Sequence, residues 1–188
     1  AERLDARMRL RHASLAQQAC RTVITFGCIK THAGIITLIG DPLGIIGQML
    51  TQYHIEIMLN ALGERFSPRA MSAIIYANVN QDRFSTQIGR DEYHFDNNAF
   101  EKSYTYIEEQ RTLTISSLHK NDALSAWSAF GRLTHTLQDF YAHSNYITLW
   151  LARFDKQTHP PSSEVDPVDL TLIQSPDLHS GKVYLPFE

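Results

Sequence analysis

One feature restricts this chain more than any other. In Arg132-Leu133-Thr134-His135-Thr136-Leu137-Gln138-Asp139-Phe140-Tyr141-Ala142-His143-Ser144-Asn145-Tyr146, the residues His135, Asp139 and His143 recur every four positions. On a helix each such step turns about 40° past a full circle, so the three side chains form a slanted row on one face. Leu133, Leu137, Phe140, Tyr141 and Ile147 cover most of the remaining circumference. A helix that is apolar on several sides is buried, and two imidazoles with a carboxylate are not buried without partners. A divalent metal meets that need, because it accepts imidazole nitrogen and carboxylate oxygen together. Each histidine alone has a plainer reading as a hydrogen-bonded core residue, and the row as a whole could be a charged surface stripe.

The rest of the chain supplies helices to bury this one. Asp41-Pro42 is a helix start, with Asp as N-cap and Pro in the first turn, and predicts a helix over 43–62 that stops at Gly63. Ser67-Pro68 repeats the signal and predicts a helix over 68–78. Between Val79 and Asn98 the periodicity lapses, which predicts a long irregular connection of the kind that often carries function. A helix over 99–118 follows, then a turn at His119-Lys120-Asn121-Asp122, then one long central helix from about Asn121 to Phe154. From Gln157 onward the chain turns rich in Pro, Ser and Asp. The fold class is therefore all-α, a helical bundle over 49–188, with 1–48 as an N-terminal extension of unassigned role. Residues 3–20 have helical composition with a weak apolar stripe, and 22–40 read equally as strand or helix.

Composition excludes more than it assigns. At 43% apolar residues over 188, the chain can bury a core. A net charge of −3 argues against general nucleic-acid or anionic-membrane binding. Two cysteines, Cys20 and Cys28, are too few for a disulfide framework. The apolar stretch 23–50 is broken by Lys30, His32, Asp41 and five glycines, a poor transmembrane helix, and the charged opening residues form no ordinary signal peptide. These features assign neither compartment nor oligomeric state.

Three further polar residues stand out: His54 in the 43–62 helix, and Asp82 and His94 in the connection. Each also reads plainly, as a core histidine, a turn residue and a loop hydrogen-bonder. Together with the central row, the strings resemble the zinc-dependent phospholipase C and single-strand-specific nuclease superfamily, most closely its Het-C-type branch. HTLQDFYAHSNY is similar to that branch's H-x-x-x-D-x-x-x-H-S-N signature, HFDN to its His-Phe-(x)-Asp segment, ANVNQD to the segment before it, and HIEIMLNAL to its N-terminal ligand helix.

The resemblance implies a zinc centre of one to three ions. Asp82, His94, His135 and Asp139 would hold one zinc. Asp139 would reach a second shared with His54, for which His32 is a rival, and His143 would belong to a further ion. It implies phosphodiester hydrolysis by metal-activated water, with Asp82 orienting that water and a phospholipid or another phosphodiester as substrate. The alternative is a non-catalytic Het-C-like recognition protein whose metal is structural. No His with an acid four residues on follows His143, so the resemblance also implies an N-terminal portion of the family domain, or a version lacking one metal site, with the tail after Gln157 left poorly packed for want of a partner helix.

Overall fold

The computed structural model describes residues 51–154 and 169–181. The expected helix over 3–20, the ambiguous stretch 22–40, the Asp41-Pro42 start and His32 lie outside them. Among the described residues there are helices and one isolated β-bridge, Ser144 with Ser180, as the sequence's all-α reading requires. No helix among them is long and apolar enough to cross a membrane.

Helix α1 is Thr51–Leu62 and α2 is Pro68–Val79. The start of α2 is capped as its sequence dictates: Ser67 Oγ accepts from the Ala70 N–H at 3.3 Å and Pro68 occupies the first turn. The connection to the next long helix is more ordered than its polarity suggests. It holds a 3₁₀ turn at Asn80–Asp82, the single-turn helices α3 (Phe84–Gln87) and α4 (Asp91–His94), and a second 3₁₀ turn at Asp96–Asn98. Local hydrogen bonds build these turns. Thr86 Oγ1, for example, donates to the Gln81 carbonyl at 2.7 Å, the kind of side-chain pairing that competes with regular periodicity.

Helices α5 (Phe100–His119) and α6 (Ala123–His143) form an antiparallel hairpin. Asn121, at φ 56°, takes the left-handed turn between them, and Asp122 Oδ1 caps α6 by accepting from the Ser125 N–H at 3.1 Å. The expected single helix to Phe154 is instead broken. Ser144 leaves the helix at ψ 163°, its Oγ donates back to the Phe140 carbonyl and also accepts from the Tyr146 N–H, and α7 restarts at Tyr146–Leu151. A side chain that can bond its own backbone offers the chain a way out of the helix.

Helix α6 is the hub. Every residue from Leu133 to Tyr141 is buried. On one side Leu133, Leu137, Phe140 and Tyr141 join Phe95, Ile107, Tyr146, Ile147, Trp150 and Leu172 in the main core. On another, α2 crosses it at close range. A Cβ on Gly131 would lie 2.3 Å from the Ile74 carbonyl oxygen and 2.8 Å from Ala77 Cβ, so only glycine permits this approach. The tail also differs from expectation. Helix α8 (Leu170–Ile173) seats Leu172 in the main core, and Ser180 is buried. This described part of the tail packs on α7 and on the 96–98 turn.

Candidate metal centre

The row on α6 points inward. His135, Asp139 and His143 are buried, and so are His54 from α1 and His94 from α4. Asp82, from the 3₁₀ turn after α2, closes the group at its edge with 13% of its side chain exposed. Thus the six residues singled out in the sequence meet in one place, although they come from four segments.

The tightest part is a triangle. His94 Nδ1 lies 2.8 Å from Asp139 Oδ2, His135 Nε2 lies 2.9 Å from the same oxygen, and the two ring nitrogens are 3.1 Å apart. Asp82 Oδ1 adds a fourth corner 3.5 Å from His135 Nε2. One ligand-type atom from each of Asp82, His94, His135 and Asp139 lies within 4.8 Å of all the others. Tetrahedral ligands at about 2.0–2.2 Å from a zinc ion stand about 3.4 Å apart, so the spacing of this quartet fits such an ion.

The opposite side of the two carboxylates presents a second set. His54 Nε2 lies 3.6 Å from Asp82 Oδ2 and 3.5 Å from Asp139 Oδ1, and His143 Nε2 lies 4.0 Å from Asp139 Oδ1. None of these four atoms makes a hydrogen bond, though all are buried. Buried polar atoms are ordinarily satisfied, so four unsatisfied ones converging on two aspartates need an explanation.

Outer partners fix the rings. His54 Nδ1 pairs with Gln138 Oε1 at 2.5 Å, which leaves its Nε2 lone pair facing the aspartates. Gln138 Oε1 also accepts from Asn78 Nδ2 at 3.1 Å, and Asn78 donates to Thr134 Oγ1 at 3.2 Å. His143 Nδ1 pairs with Asp96 Oδ1 at 2.8 Å, again leaving Nε2 inward. Such pairings orient ligand histidines at metal sites. Gln138, Asn78 and Asp96 were not among the residues the sequence singled out. Gln138 stands inside HTLQDFYAHSNY, Asp96 inside HFDN and Asn78 inside ANVNQD, but an amide or a lone acid there carries no periodicity to mark it.

The ionisable groups of the centre lie close enough to shift one another. Burial holds the His54 imidazole down to about 4, and the neighbouring His135, whose ring stacks on it at 4.4 Å, pushes the same way. Burial also lowers His135. At His143 burial opposes the charge, but Asp139 and Asp96 outweigh it and push the ring up to about 9. His94 is raised too, since the hydrogen bond and charge of Asp139 overcome burial. Asp82 is raised, by burial and then by repulsion from Asp139. Asp139 lies well below the usual carboxylate range: burial opposes this, but His135 and His143 prevail.

Comparison with known proteins gives a family and little chemistry. The family model described as VWA7 N-terminal domain matches residues 49–169. The von Willebrand factor A domain-containing protein 7 of Rattus norvegicus is 28% identical over 109 residues, which are 56% of this chain and 12% of that protein. The chain thus spans about an eighth of that relative's length. No solved structure matches. These matches overturn the resemblance to the zinc-dependent phospholipase C and nuclease superfamily and its Het-C-type branch, and with it the assignment as a zinc phosphodiesterase. The phospholipid or phosphodiester substrate and the water-orienting role of Asp82 rested on that assignment and are withdrawn. The physical reason is that H-x-x-x-D-x-x-x-H reports only what a helix needs to aim three polar groups at one point, a requirement that different families can share.

Proposed function

The chain belongs to the VWA7 N-terminal domain family, and we propose that within it this domain is a metal-binding helical module, in which a divalent ion of the zinc type joins segments far apart in sequence. The observation that carries this reading is the convergence of Asp82, His94, His135 and Asp139, three of them buried, on a spacing that suits one tetrahedral ion. Two imidazoles and two carboxylates are donors such an ion accepts together. A second ion would be held by His54 Nε2, Asp82 Oδ2, Asp139 Oδ1 and His143 Nε2, with both aspartates bridging. Its support is that these four buried atoms have no hydrogen bond.

The role that follows is cohesion. Ligands come from α1, from the turn after α2, from α4 and from α6, so an ion would stabilise the fold by binding the native arrangement alone. It would also displace protons, because, against the effect of burial, Asp139 holds the His94 ring, and Asp139 with Asp96 the His143 ring, above the ordinary histidine range.

The test is metal content of protein purified without added chelator, followed by thermal unfolding with and without chelator. One or two zinc equivalents per chain, and a melting temperature lowered by several degrees on chelation, are expected; about 1 kcal/mol corresponds to roughly 2–8 °C in domains of about this size. Asp139→Asn should abolish uptake, since it touches both sets. A protein that takes up neither zinc nor cobalt, and melts the same with chelator, would overturn the reading.

A further inference from the structure

The segment Asp177–Gly181 bonds to the backbone of one residue of the centre and to the turn that orients it. Gly181 N–H donates to the carbonyl of His143 itself at 3.2 Å, and Ser180 bridges to Ser144. In the other direction the Asn98 N–H donates to Ser180 Oγ at 2.9 Å, Ser180 N–H donates to Asn98 Oδ1 at 2.7 Å, and Asn97 N–H donates to the Gly181 carbonyl at 3.0 Å. Between those anchors lies Asp96, whose carboxylate accepts from His143 Nδ1.

The loop that carries Asp96 would not hold this shape unaided. Phe95, Asn97 and Asn98 all sit in the left-handed region, at φ 57°, 50° and 57°. Residues other than glycine persist there only where surrounding structure over-determines them. Phe95 is fixed by its fully buried ring, packed against Phe100, Tyr104 and Phe140. Asn97 is tied back by its side chain to Asp91 Oδ2 at 2.9 Å. Asn98 is held by Ser180 at both its backbone N–H and its side-chain oxygen. On the other end of the segment, Asn145 secures His179 and Asp177: His179 N–H donates to Asn145 Oδ1 at 2.9 Å, and Asn145 Nδ2 donates to the Asp177 carbonyl at 2.9 Å.

We propose that Ser180 and Asn98 form a positioning clasp, which holds the Asp96 carboxylate against His143 and thereby aims the His143 imidazole at the centre. The consequence for metal binding rests on the function proposed above; the effect on the ring itself does not. Ser180 and Asn98 are positioning residues, acting on His143 through Asp96.

The experiment compares Ser180→Ala and Asn98→Gly with the parent chain. Glycine keeps the left-handed backbone of residue 98 free of strain while removing the side-chain acceptor. Asn98→Asp retains that acceptor and serves as the rescue. Leu172→Ala is the control: it weakens the same tail through the core and leaves the clasp intact. Two quantities are read. The first is the ¹⁵N signature of the His143 ring in metal-free protein, which reports the hydrogen-bonded Nδ1–H. The second is Co²⁺ affinity with its visible absorption envelope.

The expected result is a changed His143 ring signature and a Co²⁺ affinity about tenfold weaker in Ser180→Ala and Asn98→Gly, the low end of what loss of an outer-shell partner does. Asn98→Asp should restore both, and Leu172→Ala should lower the melting temperature while leaving both unchanged. A parental ring signature in the two clasp variants, or the same change in Leu172→Ala, would overturn the clasp. If the parent chain takes up no Co²⁺, the metal reading fails, and the clasp is decided by the ring signature alone.

Discussion

Helix α6 and the connection from Asn80 to Asn98 deliver side chains to the same point by opposite means. On α6 the delivery is periodic: His135, Asp139 and His143 share a face because four residues are slightly more than one turn. Their backbone is regular, its amides bond within the helix, and its packing is tight enough that Gly131 touches α2. In the connection nothing is periodic. Asp82, His94 and Asp96 are placed by single turns and by left-handed residues, and the placement is held by bonds to distant parts of the chain. The comparison teaches that a rigid element can supply a row of donors, whereas facing that row from a second direction takes backbone that no repeat can generate.

Substitutions can break or sharpen this contrast. The largest effect is expected at Phe95→Ala. It removes a fully buried ring at the base of the irregular turn, and should cost about 3–5 kcal/mol in denaturant unfolding; a loss under about 1 kcal/mol would mean the turn is held by its hydrogen bonds alone. Next comes Gly131→Ala, on the regular side. Its new methyl meets backbone rather than a movable side chain, so a loss of about 3 kcal/mol, the upper part of the overpacking range, is expected. Equal stability would show that α2 can slide away from α6.

The pH dependence of the metal-free protein separates two histidines. His54 has its folded value below the ordinary one, at about 4. The unfolded chain therefore takes up the proton first, and stability falls as pH drops from about 6.5 towards 4. By pH 5 this amounts to about 2 kcal/mol, and His54→Gln should flatten that acid limb. His143 has the opposite sign: its folded value is raised to about 9, so its contribution is complete below about 6.5 and is lost as pH rises through 9. His143→Gln should flatten the alkaline limb and leave the acid one. Parallel curves for both variants would refute the assignment of opposite environments. The smallest effect is Gly89→Ala. Gly89 is left-handed at φ 69°, but its missing Cβ would meet nothing. Only backbone strain of about 1 kcal/mol is at stake, and a larger loss in thermal unfolding would show a contact that the glycine itself does not reveal.

How much of this was legible follows the same division. The α2 cap at Ser67-Pro68, the α5–α6 hairpin and the row on α6 were readable because capping and periodicity are local. The donor-type residues of the connection could be picked out by type, but not their partners. His54 to Gln138 spans 84 residues, and Asn98 to Ser180 spans 82; no local pattern encodes such pairings. The break at Ser144 was missed because Ala142-His143-Ser144-Asn145-Tyr146 continues the apolar spacing while the Ser144 hydroxyl cancels it. The packing of 170–181 carries no periodic signature either: this polar, proline-bearing stretch docks through Leu170, Leu172, Ile173 and Leu178 and through bonds with Asn98 and Asn145. The family is not legible in the α6 row, because that spacing is the signature of a helix and not of a lineage.

The clasp also has a bearing on the order in which the molecule assembles. The α5–α6 hairpin closes across a three-residue turn, an inexpensive event for a chain still searching its conformations. Joining Ser180 to Asn98 closes a far longer loop, and contacts of such separation form slowly. The hairpin can thus present His135, Asp139 and His143 while the far wall of the centre is still absent. Until the tail comes down the Asp96 turn is unclasped and the His143 ring is not yet aimed, so the last contact to form, rather than the first, sets the direction of that ring.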